Sequence, residues 1–304
     1  MSDHSIEYYN RYTKQIETEA VYGEPFLKFL YNNPIGRLCL KGFVRRHLPS
    51  NLYGKLMDSR LSKRKILPFI EKYKVDTTEF QKAPAEFTCF NDFFIRKLKP
   101  EARPINEDAH AIVFPADGRH YCIPDLSSYD GILVKGNVLP LVDLLGSLQL
   151  AETYLSGSMV ISRLCPTDYH RFHFPITGHV STPKLINGYL YSVNPIALRK
   201  NIHIFAQNKR FVTTIKVPSG KEIVMIEVGA TCVGSVSHTY TPNTQCVKGA
   251  EKGFFSFGGS TVITVFPKGS IEFENDLLEQ SAHKREVFAK MGDKMGSFLL
   301  KNTE

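Results

Sequence analysis

Apolar residues recur at helical spacing in the N-terminal third of the chain. Between residues 26 and 75 they stand three or four positions apart, with Lys or Arg between them, and Pro34 interrupts the pattern. This periodicity predicts amphipathic helices. Such helices either pack on the protein's own core with a solvated charged face or lie in a membrane interface, where basic side chains attract anionic headgroups. The pattern alone favours neither arrangement.

The pattern changes to that of β-strands between about residues 111 and 266. Short runs of β-branched and aromatic residues are separated there by Gly, Pro and Asn turns. The predicted strands include 132–135, 159–163, 211–217, 223–233 and 261–266. After Gly269, apolar residues among charges, such as Leu277, Val287 and Met295, predict a return to helix.

These patterns predict an α+β fold, with a mainly β core, a helical N-terminal region and a C-terminal helix. The change near residue 105 predicts a boundary between a helical region of residues 1–104 and a β-rich domain of residues 105–304. With 304 residues, 42% of them hydrophobic, the chain can bury a substantial core. We therefore expect a folded globular protein.

Cysteine spacing and the N-terminal sequence bear on the compartment. The six cysteines are scattered, and no two have the Cys-x-x-Cys spacing of a zinc or redox site, which favours a reducing compartment. The first 25 residues are polar and do not resemble a secretory signal. No run approaches the roughly 20 apolar residues of a membrane-spanning helix, so any membrane association is expected to be peripheral and to face the cytosol.

The net charge of +8 is concentrated in the N-terminal third of the chain. Between Phe26 and Arg103 there are 17 Lys or Arg against 7 Asp or Glu. A basic surface of this kind suits nucleic acid, anionic lipid or an acidic protein, and charge alone does not choose among them.

A Gly-Gly-Ser turn precedes the predicted strand 261–266. Gly258 and Gly259 allow positive φ and leave the Gly259 carbonyl unshielded, as a nucleophile such as the Ser260 hydroxyl would need. Taken alone, the same residues also describe an ordinary turn into a strand.

Two further stretches carry polar residues that could do chemistry. Asp117 stands in a Pro-Ala-Asp-Gly turn, where Asp usually bonds its own backbone. The stretch 163–175 packs two histidines, His170 and His173, with Arg and Asp between two prolines. The two imidazoles share a face only if the backbone makes a helical turn there, because an extended strand sends residues three apart to opposite sides. No third ligand with recognisable spacing follows, so no metal site is predicted. A last stretch, 186–195, predicts a β-hairpin.

In this order, these elements resemble the phosphatidylserine decarboxylase family, and the basic N-terminus is similar to that of its longer bacterial members. The motifs that carry the resemblance are Phe-Phe-Ile-Arg-Lys-Leu-Lys-Pro at 93–100, Arg-Pro-Ile at 103–105, Pro-Ala-Asp-Gly at 115–118, Asp-Tyr-His-Arg-Phe-His at 168–173, residues 187–195, Asn-Lys-Arg at 208–210, Val-Gly-Ala at 228–230, Val-Gly-Ser at 233–235 and Gly-Gly-Ser-Thr at 258–261. They span about two thirds of the chain. Two positions depart from the usual pattern: Gly258 replaces a common Leu, and Lys209 replaces a common Glu, which puts any role for an acid there in doubt.

The resemblance implies that the chain cuts itself between Gly259 and Ser260. Ser260 would attack the Gly259 carbonyl with His173 as general base and Asp117 orienting it, in the manner of a serine protease. Elimination from the resulting ester, followed by loss of ammonia, would leave a covalent pyruvoyl group derived from Ser260. The products would be a long β chain, 1–259, and a short α chain, 260–304.

The resemblance also implies the reaction and the partners. The pyruvoyl group would form a Schiff base with phosphatidylserine and release carbon dioxide and phosphatidylethanolamine, without pyridoxal phosphate. His170 would assist decarboxylation or protonate the product. We expect the two cleavage products to stay together as a heterodimer, with a higher oligomer left open.

Because the implied substrate is an anionic lipid, we expect the basic region 1–104 to bind a membrane and not nucleic acid. We expect peripheral binding at the cytoplasmic face of the cell membrane. The candidate membrane-binding residues are Arg45, Arg46, Arg64 and Lys65.

Two alternatives remain at this point. One is a pyruvoyl-dependent decarboxylase of a soluble, for example aromatic, amino acid. The other is an inactive membrane-binding relative, and the intact Asp117, His173 and Ser260 speak against it.

Overall fold

A computed structural model describes residues 5–127, 132–134, 137–230, 236–258 and 260–299. The α-helices are α1 (Glu24–Asn32), α2 (Pro34–Cys39), α3 (His47–Asp58), α4 (Ile66–Tyr73), α5 (Phe90–Phe94), α6 (Leu141–Leu145), α7 (Leu148–Tyr154), α8 (Pro195–Leu198), α9 (Ile204–Gln207) and α10 (Asn275–Ala282). A π-helical turn spans Leu40–Val44, and 3₁₀ turns span Arg60–Lys65, Pro84–Glu86 and Pro100–Ala102.

The strands, in chain order, are β1 (Glu7–Asn10), β2 (Gln15–Thr18), β3 (Ala111–Val113), β4 (Gly118–Ile123), β5 (Ile132–Val134), β6 (Asn137–Leu139), β7 (Ser158–Leu164), β8 (Arg171–His173), β9 (Gly178–Val180), β10 (Lys184–Ile186), β11 (Arg210–Lys216), β12 (Glu222–Val228), β13 (Val236–His238), β14 (Thr244–Cys246), β15 (Glu251–Phe255), β16 (Ser260–Phe266), β17 (Ile271–Phe273), β18 (Glu286–Ala289) and β19 (Lys294–Phe298).

One large sheet organises the molecule. Its strand order is β14-β9-β11-β12-β16-β7-β4-β18-β1-β2, and β10 pairs with β11. Strands β7 and β16 are buried along their whole length. Because side chains alternate along a strand, Ile263 and Val265 enter a core on one face of β16, while Val262 and Phe266 enter a second core on the other. Apolar packing on both faces explains the near-continuous apolar run in the sequence.

Smaller elements pack around this sheet. Strands β13, β15 and β8 form one three-stranded sheet, β17, β19 and β3 form another, and β5 and β6 form a hairpin. An aromatic cluster that includes Phe69, Phe90, Phe93, Phe94 and Phe257 joins the N-terminal helices to the segment before β16. This cluster brings the basic region close to Ser260.

The break between α1 and α2 lies at Pro34, where the sequence pattern predicts an interruption. Pro34 has no N–H and cannot continue α1, so the chain leaves the helix at Asn33. The Asn33 side chain then accepts the N–H of Ile35 at 2.8 Å and caps α2. In the described part of the chain, none of the helices combines the length and hydrophobicity needed to cross a membrane.

Most of the fold prediction is confirmed, and three parts of it were wrong. The runs 159–163, 211–217 and 261–266 form β7, β11 and β16. Residues 132–134 form β5, and 223–228 lie in β12, while residues 135 and 231–233 of the predicted strands lie outside the described residues. The first error concerns the N-terminus, where β1 and β2 are strands in a region predicted to be helical. The second concerns residues after α10. Lys284, at φ 58°, and Gly292, at φ 91°, interrupt helical geometry, and β18 and β19 follow instead of a longer helix.

The third error is the hairpin predicted for residues 186–195. The Asn208 side chain takes the hydrogen bonds that a second strand would have provided: it accepts from the Tyr191 N–H at 2.9 Å and donates to the Tyr191 carbonyl at 2.8 Å. The stretch therefore runs from β10 to α8 without forming a second strand. The boundary proposed at residue 105 stays a prediction.

Candidate active site

Ser260 lies at the start of β16 and is fully buried. Its strand is central, because β16 pairs with β7 through Ser260 and Leu164 and with β12 through Thr261 and Val228. Gly258 has φ 138°, a conformation that favours glycine, as the sequence predicted. Gly259, the other residue of the predicted cleavage site, lies outside the described residues.

His170 is the imidazole in contact with Ser260. Its Nδ1 lies 3.3 Å from Ser260 Oγ, and its Nε2 lies 2.8 Å from the carbonyl oxygen of Cys165. A carbonyl only accepts, so Nε2 carries the ring proton and the Nδ1 lone pair accepts the Ser260 hydroxyl. Burial lowers the pKa of His170 to about 3, and the Arg96 charge acts in the same direction. The imidazole is therefore neutral at neutral pH.

A buried ion pair fixes the carbonyl that His170 contacts. Asp168 accepts the Cys165 N–H at 2.6 Å and the Arg119 Nη1 at 2.5 and 2.6 Å. Burial lowers the pKa of Arg119, but the nearby Asp168 and Glu19 carboxylates outweigh this and raise it, so the guanidinium stays charged. Burial raises the pKa of Asp168, and the Arg119 cation opposes that shift. Asp168 thus holds the turn that ends at His170.

His173 lies on β8, three residues after His170, and is buried. The backbone from Arg171 to His173 is extended, so imidazoles three residues apart fall on opposite sides. The Nδ1 of His173 is buried without a hydrogen-bond partner. Burial lowers the pKa of His173 to about 4, while the carboxylates of Glu251 and Asp117 act to raise it.

Asp117 is bound by a guanidinium and a backbone amide. Arg103 donates to its carboxylate at 2.6, 2.9 and 3.0 Å, and the Met291 N–H donates at 2.9 Å. The alternative in which Asp117 bonds its own turn is therefore wrong. Among the residues that the structure describes, no hydrogen bond joins Asp117 to His173 or the His173 imidazole to Ser260. Within the described residues, the predicted triad therefore lacks the two hydrogen bonds that would link its members.

An apolar cavity of about 480 Å³ borders the site. Leu164 and Cys165 line it next to Ser260 across the sheet, and Phe257 and Gly258 line it next to Ser260 along the chain. The N-terminal helices and the π-helical turn supply further lining residues, among them Phe26, Leu27, Phe43, Val44 and Tyr53. The volume and the apolar lining suit an organic ligand of considerable size.

The four candidate membrane-binding residues differ in their surroundings. Arg46, Arg64 and Lys65 are exposed. Arg45 is half-buried, donates to the Tyr191 hydroxyl at 2.5 Å and lies over the Tyr189 ring at 4.1 Å. Arg45 therefore joins the N-terminal region to the β-rich part, a contact that the sequence did not reveal.

The sequence interpretation gave no role to two other residues at the site. The Phe94 ring stacks on His170, and Cys165 supplies the carbonyl that fixes its tautomer. The signal available in the sequence was their place in the motifs 93–100 and 163–175. Over the described ranges, no group of three or more His, Cys, Asp or Glu side chains is arranged to hold a metal ion.

Comparison with known proteins gives consistent matches. A sequence model of the phosphatidylserine decarboxylase family matches residues 90–297. The chain is 43% identical over 291 residues to the phosphatidylserine decarboxylase proenzyme of Clostridium botulinum strain Hall, which covers 96% of this chain and 99% of that protein. A protein of the same name from Chlamydia muridarum is 43% identical over 296 residues, or 97% and 98% of the two chains. Another from Fusobacterium nucleatum is 42% identical over 297 residues, or 98% and 99%.

Proposed function

Since the chain belongs to the phosphatidylserine decarboxylase family, we propose that it acts through a pyruvoyl group made from its own Ser260. The protein is a phosphatidylserine decarboxylase made as a proenzyme. One observation carries the proposal: Ser260 is buried at the start of a central strand and bonded to a neutral imidazole. This environment suits a hydroxyl that reacts with the peptide bond before it.

The proposed scission uses only the chain's own atoms and one water molecule. Ser260 Oγ attacks the Gly259 carbonyl carbon, the C–N bond breaks, and an ester remains. Elimination breaks the bond between Cβ of residue 260 and the ester oxygen, removes the α-proton and frees the Gly259 carboxylate. The dehydroalanine left at residue 260 takes up water and loses ammonia, which gives the pyruvoyl end.

The two products are expected to remain one heterodimer. Strand β16 pairs on both sides along its length, so the short chain keeps its place in the sheet after scission. Ion pairs add to this contact: Arg163 reaches Glu286 at 2.5 Å, Arg11 reaches Asp276 at 2.7 Å, and Lys290 reaches Glu79 at 3.0 Å.

We propose His173 as the base for scission, the role that the family resemblance implies for it. A general base must carry the proton it accepts. Burial and the Arg171 cation oppose an imidazolium at His173, while the carboxylates of Glu251 and Asp117 stabilise it. The Arg96 cation opposes an imidazolium at His170. The role requires the Ser260 hydroxyl to exchange its present partner for His173. The 3.3 Å contact favours the competing assignment, with His170 as the base.

The residues around Ser260 fit a pyruvoyl end group. A group at the start of β16 would lie beside the Nδ1 lone pair of His170 and next to Leu164, a residue that lines the apolar cavity. Once formed, the group supplies a ketone that reacts with the substrate amine and withdraws electrons as carbon dioxide leaves. His170 is placed to hold or deliver a proton at that position. The apolar cavity favours loss of the substrate carboxylate, whose charge disperses, and suits a lipid better than a small soluble amino acid.

Intact-mass measurement of the purified wild-type protein tests the proposal. We expect two chains, 1–259 and 260–304, with the short one beginning in a ketone rather than an amine. Its mass should therefore be lower than that of a serine-initiated peptide, and a hydrazide reagent should label only this chain. A single uncut chain in an active preparation would contradict the proposal.

The helical region is proposed to dock on an anionic membrane. Large apolar side chains of this region are exposed, among them Leu38 at 73%, Leu48 at 77% and Leu61 at 75%. If the helices only packed on the protein's own core, these side chains would be covered. Exposed apolar residues beside Arg46, Arg64 and Lys65 match an interfacial surface instead. We infer peripheral binding at the cytoplasmic face of the cell membrane.

We expect neutralisation of Arg46, Arg64 and Lys65 to Gln to weaken binding to anionic vesicles. Each basic residue near such a surface contributes about 1 kcal/mol, so the triple variant should lose roughly a hundredfold in affinity. Vesicle sedimentation at increasing phosphatidylserine content measures this. Lys216, Lys268 and Lys284, exposed on the β-rich part, provide a matched triple control with the same change in charge. Equal loss in both triple variants would mean that net charge, and not this surface, sets the affinity.

A further inference from the structure

Phe94, the last residue of α5, and the two residues after it contact the segment that carries His170. The Phe94 ring, which is fully buried, stacks on the His170 imidazole with centroids 3.9 Å apart and planes 27° apart. Phe94 lies in the motif 93–100 that carries the family resemblance, but it has no role in the reaction proposed above.

The next two residues hold the backbone on both sides of His170. Before it, Arg96 Nη2 donates to the carbonyls of Thr167 and Asp168, each at 3.0 Å. After it, Arg171 donates to the carbonyl of Ile95 at 2.8 and 3.0 Å. These contacts fix where the His170 backbone lies. They leave the rotation of its ring to be fixed by the side chains that touch it.

Within the described part of the chain, the ring makes two hydrogen bonds at its edge and one stacked contact on its face. The Cys165 carbonyl and the Ser260 hydroxyl each contact one nitrogen at the ring edge. Phe94 covers a face, and its own ring is held by Phe257 at 4.9 Å in an edge-to-face contact. Tilting the imidazole would break the stacked contact with Phe94.

We propose that Phe94 is a positioning residue, which holds the His170 ring in the plane where Nε2 donates to Cys165 and Nδ1 faces residue 260. The effect of Phe94 on turnover rests on the proposed function, because His170 acts where the pyruvoyl group would stand. The effect of Phe94 on the orientation of the His170 ring is independent of the proposed function. Without a flat neighbour, the imidazole can tilt or flip and present the wrong nitrogen.

The imidazole nitrogens report the ring state directly. In protein labelled with ¹⁵N-histidine, the wild-type His170 signals should be those of one tautomer, with the proton on Nε2. Loss of these signals in His170→Gln assigns them. We expect Phe94→Leu, which stays apolar but loses the flat face, to give mixed-tautomer or exchange-broadened signals. Phe94→Tyr keeps a flat ring and should restore the single tautomer.

Phe87→Leu is the matched control. Phe87 is buried in the same aromatic cluster, and its ring contacts are Phe80 and Phe93, not His170. We expect its His170 signals to match those of the wild type at a similar loss of melting temperature. If Phe94→Leu retains the single tautomer, or if Phe87→Leu disturbs it equally, the proposal is overturned.

Turnover provides the second readout. With the same ketone content per chain, kcat of Phe94→Leu should fall by about tenfold to a hundredfold while KM stays near the wild-type value, as expected for a displaced reacting group. Phe87→Leu should keep its kcat. An unchanged kcat would remove the role in turnover. A wild-type protein without the ketone would instead refute the proposed function. The nitrogen signals would still test whether Phe94 holds the His170 ring in place.

Discussion

Ser260→Ala should leave the chain uncut, as a single band at 34.4 kDa. The substitution removes the only oxygen that the proposed scission uses as nucleophile, so self-cleavage should slow by roughly a thousandfold or more. No pyruvoyl group can then form, and decarboxylation should be lost with it. Gel electrophoresis and intact mass measure the cut, and release of carbon dioxide from labelled phosphatidylserine vesicles measures the reaction.

The same sheet contains a closely matched control for this experiment. Ser162, on β7, is also fully buried, and its hydroxyl lies 2.9 Å from Nδ1 of His120, another buried imidazole. The His120 Nε2 lies 3.2 Å from the Ala289 carbonyl, as His170 lies against Cys165. Ser162→Ala therefore removes an equivalent buried bond, worth about 1 kcal/mol, and should still be cut. A clean split in Ser260→Ala would exclude Ser260 as the nucleophile.

The local sequence distinguishes Ser260 from Ser162. The apolar run 262–266 after two glycines predicts a buried strand with a reactive turn, and β16 confirms the strand. Ser162 has the same kind of partner but stands mid-strand, with no glycine pair before it. Local sequence thus separates the two serines, although both are buried next to an imidazole.

Contacts between distant residues could not be predicted in this way. Strand β1 pairs in parallel with β18, nearly the whole chain apart, and nothing in its short polar sequence signals this. Asp117 accepts hydrogen bonds from Arg103 and the Met291 amide, and these groups are neighbours only in the folded chain. In the stretch 286–298, Val287, Met291 and Met295 stand four apart and imitate a helix. The outcome there was decided by pairing with β4 and β3, which a local pattern does not contain.

The two imidazoles show the same limit at the site itself. The spacing of His170 and His173 allowed a shared face or opposite faces, depending on the backbone. Pairing of β8 with β15 makes the backbone extended and separates them. One short motif therefore supplies two histidines in different surroundings: His170 lies near the Arg96 cation, and His173 lies near the Glu251 and Asp117 carboxylates as well as the Arg171 cation.

These surroundings predict different defects for the two histidine variants. His173→Ala should remain an uncut band, with self-cleavage slowed by about a hundredfold to ten-thousandfold, the usual contribution of a general base. His170→Ala should still be cut, because the proposed base is intact, but decarboxylation should fall by a similar factor. Cleavage is scored by intact mass, and turnover is expressed per ketone-bearing chain. His120→Ala, which removes a buried imidazole elsewhere in the sheet, controls for loss of stability.

The pH dependence of cleavage gives an independent test of the same assignment. Burial, opposed by Glu251 and Asp117, leaves the pKa of His173 at about 4, so the neutral base is present at neutral pH and is lost as the pH falls through about 4. Glu251→Gln removes a carboxylate that raises this pKa, so the acid limb of the cleavage rate should move to lower pH. If His170→Ala stays uncut while His173→Ala is processed, the 3.3 Å contact identifies the base and His173 loses the role. Such a result would leave Ser260 as the nucleophile, because the two assignments differ only in which imidazole takes its proton.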